Sequence, residues 1–222
     1  MNSKYWQKYN LNKKKLIKKI TQFNRKNNVN FVEAGHFNHT RDILALSIAT
    51  ITSKNKNLQI LDYGSNQLSL VNLINKINTK KIFFTIYDPF YKSKENKRKI
   101  NDIHYQIIKS ENKIFRKKYD LIHFGSSIQY QDNFLEKINN FKLKNTKYIL
   151  ITHTPFSLLK NYKSKQTNHQ NLMQNIYSFS NLVLILKKNK YKLVFKSRNE
   201  DKYIACKTKN FKTYSLNLLF KK

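Results

Sequence analysis

From residue 58 onward, short apolar runs alternate with amphipathic stretches of about ten to fifteen residues, and this alternation restricts the fold more than any other feature. A run such as Leu58 to Tyr63 has too few polar positions to face water on either side. It suits a strand covered on both faces, and strands of that kind occur in parallel sheets whose crossover helices lie above and below. The spacing predicts strands over 58–63, 82–87, within 103–108, 119–124 and 148–152, with helices over 68–77, 93–100 and 132–141. A long, polar, aromatic-dotted connection follows, then a helix over 177–188. The runs 191–196 and 214–220 are expected to close the sheet as an antiparallel pair. Upstream, Leu11, Leu16, Ile17, Ile20 and Phe23 recur at helical spacing over 11–24, as do Ile43, Leu44, Ala45, Leu46 and Ile48 over 42–51. Residues 1–57 then read as a helical extension of a core over 58–222, in one domain.

Glycine and proline support this division. The chain has three Gly and two Pro, and Gly64, Pro89, Gly125 and Pro155 each fall directly after a predicted strand; Gly35 alone lies elsewhere. Sharp turns at the carboxyl ends of strands call for these residues. In doubly wound sheets the same ends form the ligand crevice.

A chain of 222 residues buries roughly 70% of the surface its unfolded form exposes, enough for a single core. Its 44 Lys and Arg against 12 Asp and Glu give a formal charge of +32. The basic residues are almost all Lys, run from Lys4 to Lys222, and accompany many Asn, Ile, Tyr and Phe, the mixture that AT-rich coding produces whatever the function. Without clustering, nucleic acid is the less favoured partner. Cys206 is the single cysteine, so there is no internal disulfide and no cysteine-built zinc site, and a reducing cytoplasm is expected. The first fifteen residues are polar with no apolar segment behind them, and the longest apolar run, 182–186, stops at Lys187 and Lys188, so neither secretion nor membrane spanning is expected.

The candidate site residues gather at the predicted strand ends. Asp62, Gly64, Ser65 and Asn66 form a strand-to-helix turn of the kind in which a glycine lets backbone approach a nucleotide-like ligand; the competing reading is a tight turn with Ser65 or Asn66 as helix cap. Asp88 follows Gly64 by about 24 residues, where an acidic side chain accepts from both ribose hydroxyls, or else serves as a turn residue before Pro89. Gly125, Ser126, Gln129 and Tyr130 lie on a small-residue loop after the fourth strand. His153 ends the fifth strand and is the leading general-base candidate, with a structural histidine as the alternative. His123, inside the fourth strand, is expected to be a satisfied core histidine. His36, His39, His104 and His169 form no persuasive ligand set, so no metal is expected.

Three stretches, Ile60-Leu61-Asp62-Tyr63-Gly64, Tyr119 through Tyr130, and Tyr148 through Phe156, with Arg41-Asp42 upstream and Lys190-Tyr191-Lys192-Leu193 downstream, resemble a family of class I methyltransferases found among bacterial surface-polysaccharide biosynthesis genes. The likeness runs from about residue 30 to 220. It implies a Rossmann-like α/β fold with a mostly parallel seven-stranded sheet, an antiparallel C-terminal strand and helices on both faces, and S-adenosylmethionine as cofactor. Asp62 and Gly64 would match the first cofactor motif, Asp88 the ribose acid, and Ser126, Gln129 and Tyr130 the loop after strand four. Family members usually continue the first motif with further glycines, where this chain has Ser65, Asn66, Gln67 and Leu68.

The leading reading is methyl transfer to a sugar or sugar-linked precursor of a surface glycan, with His153 or Tyr130 removing the acceptor's proton. Two alternatives stand beside it. One is a nucleic-acid methyltransferase, suggested by charge and by Asp88-Pro89-Phe90-Tyr91, although such a tetrad normally follows the fourth strand. The other is a basic module that has lost its cofactor and binds anionic glycan, lipid or RNA.

Overall fold

The computed structural model describes residues 38–52, 57–64, 82–91, 97–100, 103–140, 146–158, 160–166, 169–199 and 213–222. The expected helices over 11–24 and 68–77, together with Ser65 and Asn66, lie outside them. The strands are β1 (Leu58–Tyr63), β2 (Ile82–Tyr87), β3 (Lys97–Ile100), β4 (Ile103–Ile108), β5 (Leu121–Gly125), β6 (Tyr148–Ser157), β7 (Tyr162–Gln166), β8 (His169–Ser178), β9 (Lys192–Asn199) and β10 (Thr213–Lys221). The helices are α1 (Asn38–Thr52), α2 (Glu111–Phe115), α3 (Phe134–Asn140) and α4 (Phe179–Lys188), with a 3-10 turn over Ile128–Tyr130.

Seven strands lie in the order β4-β2-β1-β5-β6-β10-β9. β4, β2, β1, β5 and β6 are mutually parallel, and β10 runs antiparallel to both of its neighbours. This is the mostly parallel sheet with an antiparallel C-terminal strand anticipated above, but it has ten strands and not seven, because β3 extends the β4 edge and β7 and β8 join through β6. Helices cover both faces. Leu44, Ala45, Ile48 and Ile51 of α1 pack on Leu58, Ile60, Phe84, Ile86, Leu121 and Leu150, while Ile114 of α2, Phe134 and Ile138 of α3, and Leu182 and Leu186 of α4 pack on Leu61, Ile122, Phe124, Ile149 and Ile151. Alternate residues of each strand thus serve opposite cores.

α4 shows how local rules and packing agree. Ser178 caps it by accepting from Asn181 N at 3.2 Å, and Lys187 and Lys188 sit in the last turn, where the helix dipole favours cations. Leu182 and Leu186, one turn apart, are both fully buried, each contributing about 1.5–3 kcal/mol of transfer free energy.

Three expectations are corrected. The stretch 93–100 was expected to be helical, yet Lys97–Ile100 is β3, paired antiparallel with β4 at the sheet edge. Its sequence, Lys-Arg-Lys-Ile, has no apolar stripe to hold a helix on the core, whereas an edge strand is satisfied by backbone pairing and protected by its charges. The connection after the fifth strand is an antiparallel hairpin, β7–β8, joined to the sheet where Phe156 and Ser157 of β6 pair with Tyr177 and Ser178. Finally, β6 does not stop at Thr152 but continues to Ser157, so Pro155 lies within it. Beyond Thr152, which pairs with Gly125 at the end of β5, β6 has no β5 partner, and a proline is tolerated there. Just before that point β6 carries a bulge, in which Thr152 and His153 together oppose Asn217.

Candidate active site

β1 and β2 pair from Leu58↔Ile82 to Tyr63↔Tyr87, so their carboxyl ends are level. Gly64 N donates to Tyr87 O at 3.0 Å, which sets the first turn beside Asp88. Gly64 has φ +74, and a Cβ there would lie 2.9 Å from Ser127 Cβ. Both the conformation and the close approach of the loop after β5 exclude a side chain. Ser127 Oγ returns the contact by donating to Tyr63 O at 2.7 Å.

Asp88 is half-buried. Its backbone N–H donates to Ile108 O at 3.0 Å, and its Oδ1 accepts from Phe90 N at 2.9 Å. This is the turn role foreseen for it, and it also holds the carboxylate at the carboxyl end of β2. Tyr91, the last residue of the tetrad, is buried against the α1 core and is not displayed for stacking on a base.

Two phenols pack at the ends of β1 and β2. The Tyr63 and Tyr87 rings are 4.7 Å apart, and Tyr63 Oη donates to Glu111 Oε1, which also receives Lys137 Nζ at 3.4 Å. Burial, with Glu111 adding to it, holds the Tyr63 phenol far above its ordinary value; burial and the charges of Glu111 and Asp88 push Tyr87 up to about 12. Both are neutral donors at ordinary pH.

The loop after β5 brings in the next group. Ser126 takes a left-handed conformation (φ 51), and its N–H donates to Thr152 O at 2.9 Å. Gln129 is fully buried, with Nε2 donating to Ser126 Oγ at 2.9 Å, while its Oε1 has no hydrogen-bond partner among the described residues. An unsatisfied buried acceptor is costly, and it calls for a donor from water or a ligand. Tyr130 Oη donates to Gln166 Oε1 at 3.0 Å, which ties the loop to the β7–β8 hairpin. Two further hairpin residues grip the same loop. Asn175 Nδ2 and Tyr177 Oη both donate to Gln131 O, and Tyr177 Oη accepts from Phe134 N at 3.2 Å. The hairpin is a fixed wall beside the strand ends.

His153 sits in the β6 bulge, half-buried and left-handed (φ 52), its N–H donating to Asn217 Oδ1 at 2.9 Å. Tyr130 and His153, the two candidates for proton removal, therefore stand on different supports, one braced by the hairpin and one by β10.

Asp62 is fully buried, with Oδ1 2.8 Å from Nδ1 of His123, whose Nε2 is 2.8 Å from Thr152 Oγ1. His123 is the satisfied core histidine that was expected. Its partners, Thr152 and the motif residue Asp62, were not foreseen. Ser127, Asn217 and Glu111 also went unmarked, because their roles arise from register between strands distant in sequence.

No helix among the described residues is long and apolar enough to cross a membrane. No protein-family model matches the chain, and no curated protein does. Solved structures do match. Coclaurine N-methyltransferase bound to N-methylheliamine and S-adenosylhomocysteine aligns at TM-score 0.55 and 8% identity, over 86% of this chain and 75% of that one. The N-terminal domain of EvdMO1, crystallised with S-adenosylhomocysteine and D-fucose, aligns at TM-score 0.52 and 7% identity over 84% of each chain. A SAM-dependent methyltransferase from Methanosarcina mazei aligns at TM-score 0.50 and 10% identity, over 78% and 96%. The seven-strand order, the reversed C-terminal strand and these alignments agree: the chain has the Rossmann-like fold of the class I methyltransferases.

Proposed function

We propose that this chain is an S-adenosylmethionine-dependent methyltransferase whose acceptor is a sugar or a sugar-linked precursor of a surface polysaccharide. The observation that carries the reading is the meeting of Gly64, Asp88, Ser126 and Gln129 at one edge of the sheet, where the ends of β1, β2 and β5 stand side by side. That edge fits the cofactor in two respects. Asp88 holds a carboxylate where ribose hydroxyls would donate, and the buried Gln129 oxygen lacks a donor among the described residues. Asp62, Gly125, Ser65 and Asn66 complete the proposed cofactor set.

When bound, the cofactor supplies a methyl group already activated by its sulfonium. The protein's own task is then alignment and removal of the acceptor's proton. His153, on its bulge, is the proposed base, and Tyr130, on the loop facing the hairpin, is the proposed partner in orienting the hydroxyl. The D-fucose in the EvdMO1 crystal supports a sugar acceptor for a fold of this type.

Calorimetric titration with S-adenosylmethionine and S-adenosylhomocysteine tests the proposal. Asp88→Ala is expected to weaken binding by about tenfold or more, the loss of one to two charge-assisted hydrogen bonds. If the folded wild type binds neither compound at millimolar concentration, the methyltransferase reading fails and polyanion binding by a basic module becomes the next assay.

A further inference from the structure

Asp62, His123 and Thr152 form one hydrogen-bonded chain across three adjacent strands, β1, β5 and β6, directly beneath the proposed cofactor edge. We propose that His123 is a positioning residue for the cofactor: it orients the Asp62 carboxylate and links it through Thr152 to the backbone that carries Ser126 and His153. The inference rests on the methyltransferase reading and extends it to residues outside the proposed binding set.

Burial makes the arrangement demanding. Asp62 and Thr152 are fully buried and His123 is 2% exposed. A carboxylate in such a place costs several kcal/mol unless its partner is well placed. Since a carboxylate only accepts, His123 Nδ1 must carry the proton it shares with Oδ1. A neutral ring then leaves Nε2 to accept from the Thr152 hydroxyl.

Thr152 is the junction. Besides meeting His123 through its side chain, it accepts at its carbonyl from Ser126 N at 2.9 Å and from Thr154 Oγ1 at 3.0 Å. Ser126 and the adjacent His153 are two of the four non-glycine residues with positive φ among those described. Each such conformation costs of order 1 kcal/mol and persists only where surrounding bonds determine it. The chain thus runs from the cofactor side of the site to the two backbone positions that present the loop after β5 and the proposed base.

A role in packing alone explains the choice of residues poorly. Apolar side chains of similar volume knit neighbouring strands at least as well, without desolvating a carboxylate. Elsewhere β1, β5 and β6 use them, as at Ile60, Leu121 and Leu150 on the same face. Among the described residues of β1, β5 and β6, this polar chain lies at the level of the crevice.

The test joins two measurements. In nitrogen-15 spectra of the wild-type imidazoles, His123 is expected to show a protonated Nδ1 and a bare Nε2, with the Nδ1 signal moving on saturation with S-adenosylhomocysteine. In calorimetry, with each variant first shown to be folded by circular dichroism, Thr152→Val is expected to weaken S-adenosylhomocysteine binding by about threefold to tenfold, the worth of one hydrogen bond. His123→Leu should weaken it further, and His123→Asn, which can restore an N–H toward Asp62, should recover part of the loss. Should His123→Leu not fold, the near-isosteric Thr152→Val and the wild-type spectra decide. Binding by the wild type with an unmoved His123 signal and an unchanged Kd for Thr152→Val would overturn the inference while leaving the methyltransferase reading intact; absence of binding by the wild type would remove both.

Discussion

His123 Nδ1 lies 2.8 Å from Asp62 Oδ1, and the two residues are direct partners in the parallel register of β1 and β5. Taking the hydrogen-bond donor from a buried carboxylate is far more damaging than removing both partners. His123→Leu is therefore expected to lower unfolding stability by about 3–5 kcal/mol, and Asp62→Asn combined with His123→Leu to lower it less than His123→Leu alone. Urea unfolding of the wild type, the two single variants and the double variant closes the cycle. Simple additivity would show that the contact carries no coupling.

Gly64→Ala places a methyl group 2.9 Å from Ser127 Cβ on a residue at φ +74. The conformation alone costs about 1–2 kcal/mol for an alanine, and the contact adds to it. Combining it with Ser127→Gly should return the steric part and keep the conformational part, a difference readable in urea midpoints.

Tyr177→Phe removes the hydroxyl that accepts from Phe134 N and donates to Gln131 O. It leaves a buried N–H unsatisfied at the start of α3, a loss of about 1–3 kcal/mol. Hydrogen exchange at the Phe134 amide should accelerate relative to amides in β1 and β2. Unchanged protection there would mean that the hairpin does not hold this loop.

Five of the seven buried tyrosines among the described residues make the fold sensitive to alkali. Burial raises Tyr63, Tyr119, Tyr177 and Tyr191, and pushes Tyr87 up from 10.0 to about 12. The folded state holds these protons more tightly than the unfolded chain does. Their contribution is therefore complete below pH 10 and is lost progressively as pH rises from there through the folded values, about 12 for Tyr87. Tyrosinate absorbance should rise in two stages, an early one from exposed phenols and a late, cooperative one coinciding with loss of helical circular dichroism.

His153→Asn retains a residue type that tolerates left-handed backbone. Its stability is expected to stay within about 0.5 kcal/mol of the wild type, while methyl transfer to a hydroxyl acceptor slows by about a hundredfold or more. Equal rates would move the base role to Tyr130.

The parallel centre of the sheet was legible because strands covered on both faces cannot hide a polar run: β1, β2 and β4 coincide with the stretches 58–63, 82–87 and 103–108. The β7–β8 hairpin was not, since two of the residues it buries, Ser164 and Gln174, are polar, and the apolar alternation that announces a hairpin is missing. β3 eluded pattern reading for a related reason, as an edge strand asks little of its side chains. In the site, Gly64 and Asp88 could be picked out from their places after strands. The links from Asp62 to His123 and from Thr152 to Ser126 depend on which strands become neighbours, and no local spacing encodes that.

The bulge at Thr152 and His153 also changes the parity of β6. Up to Thr152, odd-numbered residues such as Ile149 and Ile151 face the core under α2, α3 and α4; beyond the extra residue that place falls to Phe156, an even number and 1% exposed. The strand can accordingly accept exchanges at position 153, and the bulge keeps the extra residue from inverting the faces beyond it. Drawn into a regular ladder with β10, the same residues would turn Phe156 out of its core, so that at this point the faces of the strand are set by its backbone and not by the parity of its sequence.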